Sequence, residues 1–144
     1  MSDPILNFND EYRWLSNFWP CSIPYEGMIY PSTEHAYQAS KTSNTVMREL
    51  VLNTPSPGAA KRMNQYIKVR EDWSEELKLQ IMLDITRIKY QHPELREKLL
   101  ATGDREIIEG NSWRDRFWGV YNEQGQNHLG KILMRVRDEI RSGA

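Results

Sequence analysis

The sequence predicts one small domain that is mainly α-helical with minor β structure. Its 144 residues suffice for one hydrophobic core, whereas two domains of usual size would not fit. Apolar residues recur at helical spacing in two long stretches, one central and one near the C-terminus. The segments that suit strands are short and fall near the N-terminus and around residues 104–121. Helices therefore dominate the predicted fold.

Residues 5–30 are predicted to be extended and rich in loops. Ile5–Phe8 is compatible with a short strand. Ile23–Tyr25 and Met28–Tyr30 flank the pair Glu26-Gly27, and glycine supplies the positive φ that a tight turn needs. These residues predict a short N-terminal β-hairpin.

Three capping signals predict three helices after the hairpin. In each, a Ser or Asn stands where its side chain can accept a hydrogen bond from a free amide of the first turn, and the third signal adds a proline at the first helical position. The predicted helices run from Thr33 to about Thr42 after the cap Ser32, from Asn44 to about Asn53, and from Ser56-Pro57 through Tyr66.

The second half contains the strongest helical pattern. The stripe Leu77, Ile81, Ile85 and Ile88 predicts a helix from Ser74 to about Gln91. A shorter helix is predicted to begin at Pro93 and end near Gly103, and residues 104–126 are predicted to be extended or looped. Asn127 is predicted to cap a last helix. The apolar face of that helix carries Leu129, Ile132, Leu133, Val136 and Ile140.

Composition excludes several classes of protein. Nineteen Lys and Arg against 20 Asp and Glu give a net charge of −1, which argues against a globally basic surface for nucleic acid. No apolar stretch approaches the ~20 residues of a bilayer span, and the N-terminus lacks the features of a secretion signal. Cys21 is the one cysteine, which suits a reducing compartment. We expect a cytoplasmic monomer without membrane association.

Metal and cofactor sites are not expected either. One cysteine and three scattered histidines form neither a CxxC nor an HExxH pattern, so the sequence offers no zinc site. Aromatic residues are abundant instead, with five Trp and seven Tyr, and large aromatic rings serve either the core or stacking on bases and sugars.

The first predicted helix carries an informative polar set. At about 100° per residue, Glu34, Gln38 and Lys41 share one face, with Glu34 and Lys41 roughly 10 Å apart along the axis. That separation suits two groups that flank a sugar. The small residues of the opposite face predict close packing. From helix geometry alone, however, an ordinary solvated face is the favoured interpretation.

Two tryptophans are candidates for ligand contact. Trp73 is predicted just before a helix, beside Asp72, and Trp118 lies in a loop-like stretch after Asp115 and before Gly119. For either residue alone, a place in the core is the more common role. Their loop positions near acidic residues raise the alternative that one of them stacks on a ligand.

Several segments together carry a recognisable pattern, and they span nearly the whole chain. In chain order they are Trp14–Cys21 with Ser16-Asn17-Phe18, Tyr25–Gly27, Tyr30–Lys41, Asp72-Trp73, Lys89-Tyr90 with Leu95 to Gly103, Asp115–Gly119 and Asn127–Gly130. This pattern resembles the NADAR family, also called YbiA-like.

The resemblance implies a compact, mostly helical fold and an enzyme that hydrolyses N-glycosidic bonds to ribose. Members of the family act on ribosylamino-pyrimidine phosphates of riboflavin biosynthesis or remove ADP-ribose from guanine bases in nucleic acid. The implied partners are therefore a ribosyl or ADP-ribosyl ligand and, for the second activity, ADP-ribosylated nucleic acid. The resemblance implies no metal or cofactor.

The matched motifs also imply residue roles. Glu34, with Asp115 as a second carboxylate, would stabilise the cationic transition state and assist the leaving group. Alternatively, Lys41 would capture C1 of an opened ribose as a Schiff base. The residues implied to bind substrate are Asn17, Phe18, Gln38, Trp73, Trp118, Gly119, Asn127 and Gly130.

A binding module is the alternative from another class. A non-catalytic sensor of ADP-ribose or an NAD-derived ligand would keep the stacking aromatic residues but would not need both Glu34 and Lys41. The presence of both residues favours the enzyme.

Overall fold

The computed structural model describes residues 3–143. Within that range the chain forms one two-stranded hairpin, six α-helices and two short 3₁₀ helices. The strands are β1 (Ile23–Tyr25) and β2 (Met28–Tyr30), and the helices are α1 (Thr33–Ser40), α2 (Thr45–Leu52), α3 (Pro57–Arg62), α4 (Glu75–Lys89), α5 (Pro93–Ala101) and α6 (His128–Arg141). The 3₁₀ helices are Asp10–Leu15 and Met63–Tyr66. The predicted class, mainly α with minor β, is confirmed.

The described residues group into two compact units. Asn17–Lys89 forms one unit, and the residues before Asn17 form the other together with those from Tyr90 onward.

The hairpin of the Asn17–Lys89 unit lies where the sequence predicts it. Ile23 pairs with Tyr30 and Tyr25 with Met28 in an antiparallel register. Glu26 and Gly27 both have positive φ, at 46° and 89°, as the two-residue turn requires. Ile23 and Tyr30 are completely buried, so the hairpin contributes to the core of this unit.

Side-chain caps begin the next three helices, also as predicted. Ser32 Oγ accepts from the His35 N–H at 3.1 Å, and Ser56 Oγ accepts from the Ala59 N–H at 3.1 Å. Asn44 Oδ1 accepts from the Met47 N–H at 3.0 Å. Each cap satisfies a backbone donor that has no partner within its helix. These contacts fix the starts of α1, α2 and α3.

Helix α4 completes the Asn17–Lys89 unit. It is two residues shorter at its C-terminal end than the predicted boundary, ending at Lys89. Ile81 and Ile85 of the predicted apolar stripe are buried, whereas Leu77 and Ile88 are half-buried. The helix packs against α1 and β1.

The other unit is organised around α5 and α6. The apolar face of α6 is buried through Leu129, Ile132, Leu133 and Val136. Arg137 of α6 reaches back to the end of α5, where it donates to Thr102 Oγ1 at 2.9 Å and to the Arg105 carbonyl at 2.8 Å. The predicted boundaries of both helices hold to within a few residues.

The predicted strands outside the hairpin are wrong. Ile5–Phe8 is not a strand, since only Ile5 pairs, in a single parallel bridge with Ile107. The 104–121 stretch holds isolated bridges, such as Gly110 with Val120, rather than strands. The 3₁₀ helix Asp10–Leu15 falls in a stretch predicted to be extended. Isolated bridges and 3₁₀ turns depend on tertiary partners, so local sequence patterns do not specify them.

No helix among residues 3–143 has the length and apolar character needed to cross a bilayer.

Candidate active site

Helix α1 is buried on every side, including the face that carries the polar set. Glu34 is 8% exposed and Gln38 only 3%. The interpretation of this face as solvated is therefore wrong, because α1 packs against α2, α3 and α4 at once. The small residues Ala36, Ala39 and Ser40 are completely buried, as their size predicts.

The Glu34 carboxylate is held in place by its own helix. Gln38, one turn later, donates from Nε2 to Glu34 Oε2 at 2.7 Å. The backbone N–H of Glu34 donates to the Asn17 carbonyl at 3.0 Å. Asn17 in turn directs its side-chain amide at Met82 Sδ on α4, at 3.7 Å. Three of the predicted site residues, Asn17, Glu34 and Gln38, are therefore joined by hydrogen bonds around α1.

Lys41 occupies the C-cap position of the same helix. Its Nζ donates to Asn64 Oδ1 at 2.8 Å and lies 5.1 Å from the centre of the Tyr37 ring. Burial lowers the pKa of Lys41 below its ordinary value, and the positive charges of Lys78 and Lys61 lower it further. Glu34 acts in the opposite direction and raises that pKa. Because burial is the largest cause, the net shift favours the neutral amine.

The Tyr37 ring contacts both Trp73 and the Lys41 amine. The Trp73 and Tyr37 rings are 6.0 Å apart at their centres and tilted by 57°. The backbone N–H of Trp73 donates to the Arg70 carbonyl at 3.1 Å, and the Arg70 N–H donates to the Lys41 carbonyl at 2.8 Å. The loop before α4 is thus tied to the end of α1, and a half-buried indole is held near the lysine.

Phe18 follows Asn17 and leaves 41% of its surface exposed. A partly exposed phenyl ring offers apolar surface for stacking.

An open cavity of about 650 Å³ adjoins Lys41 along the chain. Residues 42–44 and 68–72 line it. Its positive groups include Lys68 and Arg70, but the Arg70 guanidinium binds Asp72 through two hydrogen bonds of 2.6 and 2.8 Å. Because Glu71 also lines the cavity, its charges are balanced and it is not a strongly cationic pocket.

The remaining predicted residues lie in the other unit, around the start of α6. Asp115 Oδ1 accepts from the backbone N–H groups of Phe117 and Trp118 at 3.0 and 2.9 Å. This carboxylate therefore organises its own loop. Trp118 is half-buried, meets the Phe117 ring edge-on at 4.8 Å, and accepts at its carbonyl from the Leu129 N–H at 2.9 Å.

Asn127 is the N-cap residue of α6, as predicted, but the expected side-chain cap is wrong. Asn127 precedes α6 in a left-handed conformation, with φ 54° and ψ 41°, and makes no side-chain cap. Its Oδ1 accepts from the Glu109 N–H at 2.9 Å, and its Nδ2 donates to the Ile107 carbonyl at 2.9 Å. The side chain instead fixes an extended segment alongside the helix start, a long-range partner that the local sequence does not reveal.

Gly119 and Gly130 are positions of close packing in this unit. A Cβ at Gly119 would collide with the carboxylate and carbonyl oxygens of Glu109. A Cβ at Gly130 would collide with the Ile107 carbonyl and the Asn127 side chain. Both glycines allow backbone segments to approach more closely than any larger residue permits.

Sequence reasoning missed three residues of these surroundings. Tyr37 precedes Lys41 by one helical turn, so the helical spacing could have placed its ring beside the lysine. Asn64 comes from another element, so local spacing does not predict its contact with Lys41. Glu109, only 9% exposed, accepts from Asn111 Nδ2 at 3.0 Å, and its burial likewise has no sequence signal.

Among residues 3–143, no group of three or more His, Cys, Asp or Glu side chains is arranged to hold a metal ion.

Comparison with known proteins defines the class of the chain. The family model of the NADAR domain matches residues 6–141, and the chain belongs to this family. The chain is 37% identical over 147 residues to the N-glycosidase YbiA of Shigella boydii, covering 97% of this chain and 91% of that protein.

A longer relative and a solved structure agree with this assignment. The chain is 38% identical over 150 residues to a riboflavin biosynthesis protein of Vibrio vulnificus, of which it spans 40% of the length. The NMR structure of the Escherichia coli protein YbiA superposes with a TM-score of 0.85 at 35% identity, covering 99% of this chain and 88% of that one.

Proposed function

We propose that the chain is an N-glycosidase that hydrolyses the bond between C1 of a ribosyl group and a nitrogen atom. The observation that carries this proposal is the pairing on α1 of a buried carboxylate, Glu34, with an amine of lowered pKa, Lys41. The names of the YbiA relatives support the same reaction class.

Glu34 fits the electrostatic part of the reaction. As the C1–N bond lengthens, positive charge develops on C1 and the ring oxygen, and a fixed carboxylate stabilises it. Gln38 donates to Glu34 and holds it in one orientation, so little reorganisation is needed when the charge appears. A non-catalytic sensor would not need both this carboxylate and the Lys41 amine.

Lys41 fits a covalent route. The ribose ring opens when the bond from C1 to the ring oxygen breaks and that oxygen takes up a proton, which leaves C1 in an imine with the leaving nitrogen. The neutral amine of Lys41 adds to C1, the bond from C1 to the leaving nitrogen breaks as that nitrogen takes up a proton, and an imine between Lys41 and C1 remains. Water then adds to that carbon, and the lysine leaves as an amine with release of the free sugar. Activation of an amine by burial and by neighbouring cations is what this route requires.

The substrate class follows from the family and from the aromatic residues. We propose either ADP-ribosyl groups on guanine bases of nucleic acid or ribosylamino-pyrimidine phosphates. The name of the Vibrio vulnificus relative supports the second. Asn17, Phe18 and Trp73 are proposed to contact the ligand together with Gln38. In the other unit the proposed ligand contacts are Asp115, as the second carboxylate, with Trp118, Gly119, Asn127 and Gly130.

We also propose that the protein works in the cytoplasm as a monomer and that its chain is one domain. Light scattering after size exclusion tests the monomer, and a single cooperative unfolding transition tests the single domain.

Two substrates decide the activity. The protein is incubated with an ADP-ribosylated guanine oligonucleotide and, separately, with a ribosylamino-pyrimidine phosphate, and products are followed by mass spectrometry. Release of free base and sugar from either substrate supports the proposal, and the preferred substrate names the class. Tight binding of both substrates without turnover would favour the sensor instead. If the protein neither binds nor turns over either substrate, both the enzyme and the sensor hypotheses are refuted.

A further inference from the structure

Asn64 accepts a hydrogen bond from the Lys41 amine. It belongs to the 3₁₀ helix Met63–Tyr66, which continues α3, and is exposed. Lys41 Nζ donates to Asn64 Oδ1 at 2.8 Å, a normal length for such a bond. The contact joins residues 23 positions apart, so it depends on the packing of α3 against α1.

The groups around the Lys41 amine differ from Asn64 in what they contribute to it. Tyr37 lies beneath the amine on α1, and Glu34 on the same helix is the negative group that acts on it. Lys61 from α3 and Lys78 from α4 bring positive charge. Arg70 contacts Lys41 only through the backbone, since its guanidinium binds Asp72 and the Ser40 carbonyl. The hydrogen bond that the nitrogen donates goes to Asn64.

We propose that Asn64 is a positioning residue that orients the Lys41 amine for attack without adding negative charge. This inference rests on the proposed function. A lysine side chain has four rotatable bonds, and holding one of its N–H groups restricts where the nitrogen lone pair points. An amide oxygen provides that hold and is neutral. A carboxylate at the same place would hold the amine equally well but would stabilise its protonated form.

Two substitutions separate orientation from charge. Asn64→Ala removes the acceptor, and the loss of one ordinary hydrogen bond predicts a fall in kcat of about tenfold, with KM changed less than about threefold. Asn64→Asp keeps an acceptor and adds a charge. Its kcat is expected to be reduced at pH 7 and restored in more alkaline buffer, with the acidic limb of the pH profile displaced upward by about one pH unit or more.

Gln65→Asp is the matched control, because it adds the same charge at the next residue, for which no contact to Lys41 is described. The pKa of Lys41 is measured directly in each variant by NMR titration of the ¹³Cε resonance. Asn64→Asp is expected to raise that pKa by at least twice as much as Gln65→Asp. Thermal unfolding of each variant within a few degrees of wild type shows that the fold is kept.

The outcomes distinguish this inference from the proposed function. Equal Lys41 pKa values in Asn64→Asp and Gln65→Asp overturn the inference, whatever the activity. So does wild-type kcat in Asn64→Ala. A wild-type protein without glycosidase activity overturns the proposed function, and the positioning role with it, while the NMR comparison still reports whether Asn64 binds the amine.

Discussion

Lys41→Arg separates the two routes of N-glycoside cleavage. Arginine retains the positive charge and a long side chain, so it preserves any role in steadying the substrate. A guanidinium remains protonated and does not form an imine, so it cannot replace an amine nucleophile. If the covalent route is correct, the substitution abolishes turnover even though the charge at this position is unchanged.

The size of the effect follows from the state of the amine. With an ordinary pKa near 10.4, only about one lysine in 10³ is neutral at pH 7.4, and each unit by which the pKa falls raises that fraction about tenfold. Burial, Lys78 and Lys61 all lower the pKa of Lys41, against the opposing charge of Glu34. We therefore expect kcat to rise with pH up to this lowered pKa and then to level off. In Lys41→Arg we expect a loss of at least about 10³-fold, or ~4 kcal/mol of transition-state stabilisation.

Borohydride trapping provides the assay. Reductant added during turnover is expected to convert the imine to a stable amine and leave a ribosyl-derived mass on the peptide that contains Lys41. Lys78→Arg is the control, because it keeps a cation near Lys41 and leaves the nucleophile intact. Absence of an adduct, together with turnover of Lys41→Arg within about tenfold of wild type, would refute the covalent route and leave Glu34 as the main catalytic group.

Three further predictions concern other residues. Glu34→Gln is expected to abolish hydrolysis while ligand affinity stays within about tenfold, or ~1.4 kcal/mol, and a variant that keeps most of its kcat in steady-state assays would remove Glu34 from the mechanism. Trp118→Ala is expected to weaken ligand binding by ~1–3 kcal/mol in calorimetry and to affect stability less, because its ring is half-exposed; a collapse of thermal stability instead would make it a core residue. Burial lowers the pKa of Lys89 to about 7. Between about pH 7 and the ordinary lysine pKa, this side chain is therefore neutral in the folded protein and protonated in the unfolded chain. The free energy of unfolding should consequently rise with pH in this window. Urea unfolding at pH 8 and 10 should show a smaller rise in Lys89→Met, and an equal rise in both proteins would contradict the assignment.

The parts of the fold that were predictable are those fixed by neighbouring residues. The turn at Glu26-Gly27 and the caps Ser32, Asn44 and Ser56 each act within a few positions, so the sequence contains the whole interaction. Asn127 shows the limit of this reasoning. Its position before α6 suited a cap, but its amide binds the backbone of residues 107 and 109 instead.

The same distinction holds for the candidate site. Helical geometry placed Glu34, Gln38 and Lys41 on one face, and the bond between Gln38 and Glu34 follows from their spacing. That face is not solvated, because α1 packs against α2, α3 and α4. The acceptor of the Lys41 amine, Asn64, likewise comes from a different element. Sequence therefore predicted Glu34 and Lys41 as reacting groups, and tertiary packing determines their burial and the direction in which the pKa of Lys41 shifts.

Two helical glycines test whether close packing explains a matched motif position. Alanine ordinarily stabilises a helix relative to glycine by roughly 0.5–1 kcal/mol. At Gly58 of α3 a Cβ would meet its nearest atom, Arg62 Nη1, at 3.6 Å, an ordinary contact, so Gly58→Ala is expected to follow this rule. At Gly130 of α6 a Cβ would collide with the Ile107 carbonyl and the Asn127 amide. Neither can withdraw easily, because these two groups are hydrogen-bonded to each other.

The sign of the effect should consequently reverse between the two sites. Overpacking typically costs about 1–3 kcal/mol, which exceeds the helical gain, so Gly130→Ala is expected to lower the free energy of unfolding in urea. If Gly130→Ala is instead as stable as Gly58→Ala, the start of α6 does not pack closely on residue 107. A loss of ligand affinity without loss of stability would then give Gly130 a direct place in binding. Reduced stability with ligand affinity intact would make the glycine a packing residue, and its match to the family motif would reflect the fold rather than the substrate.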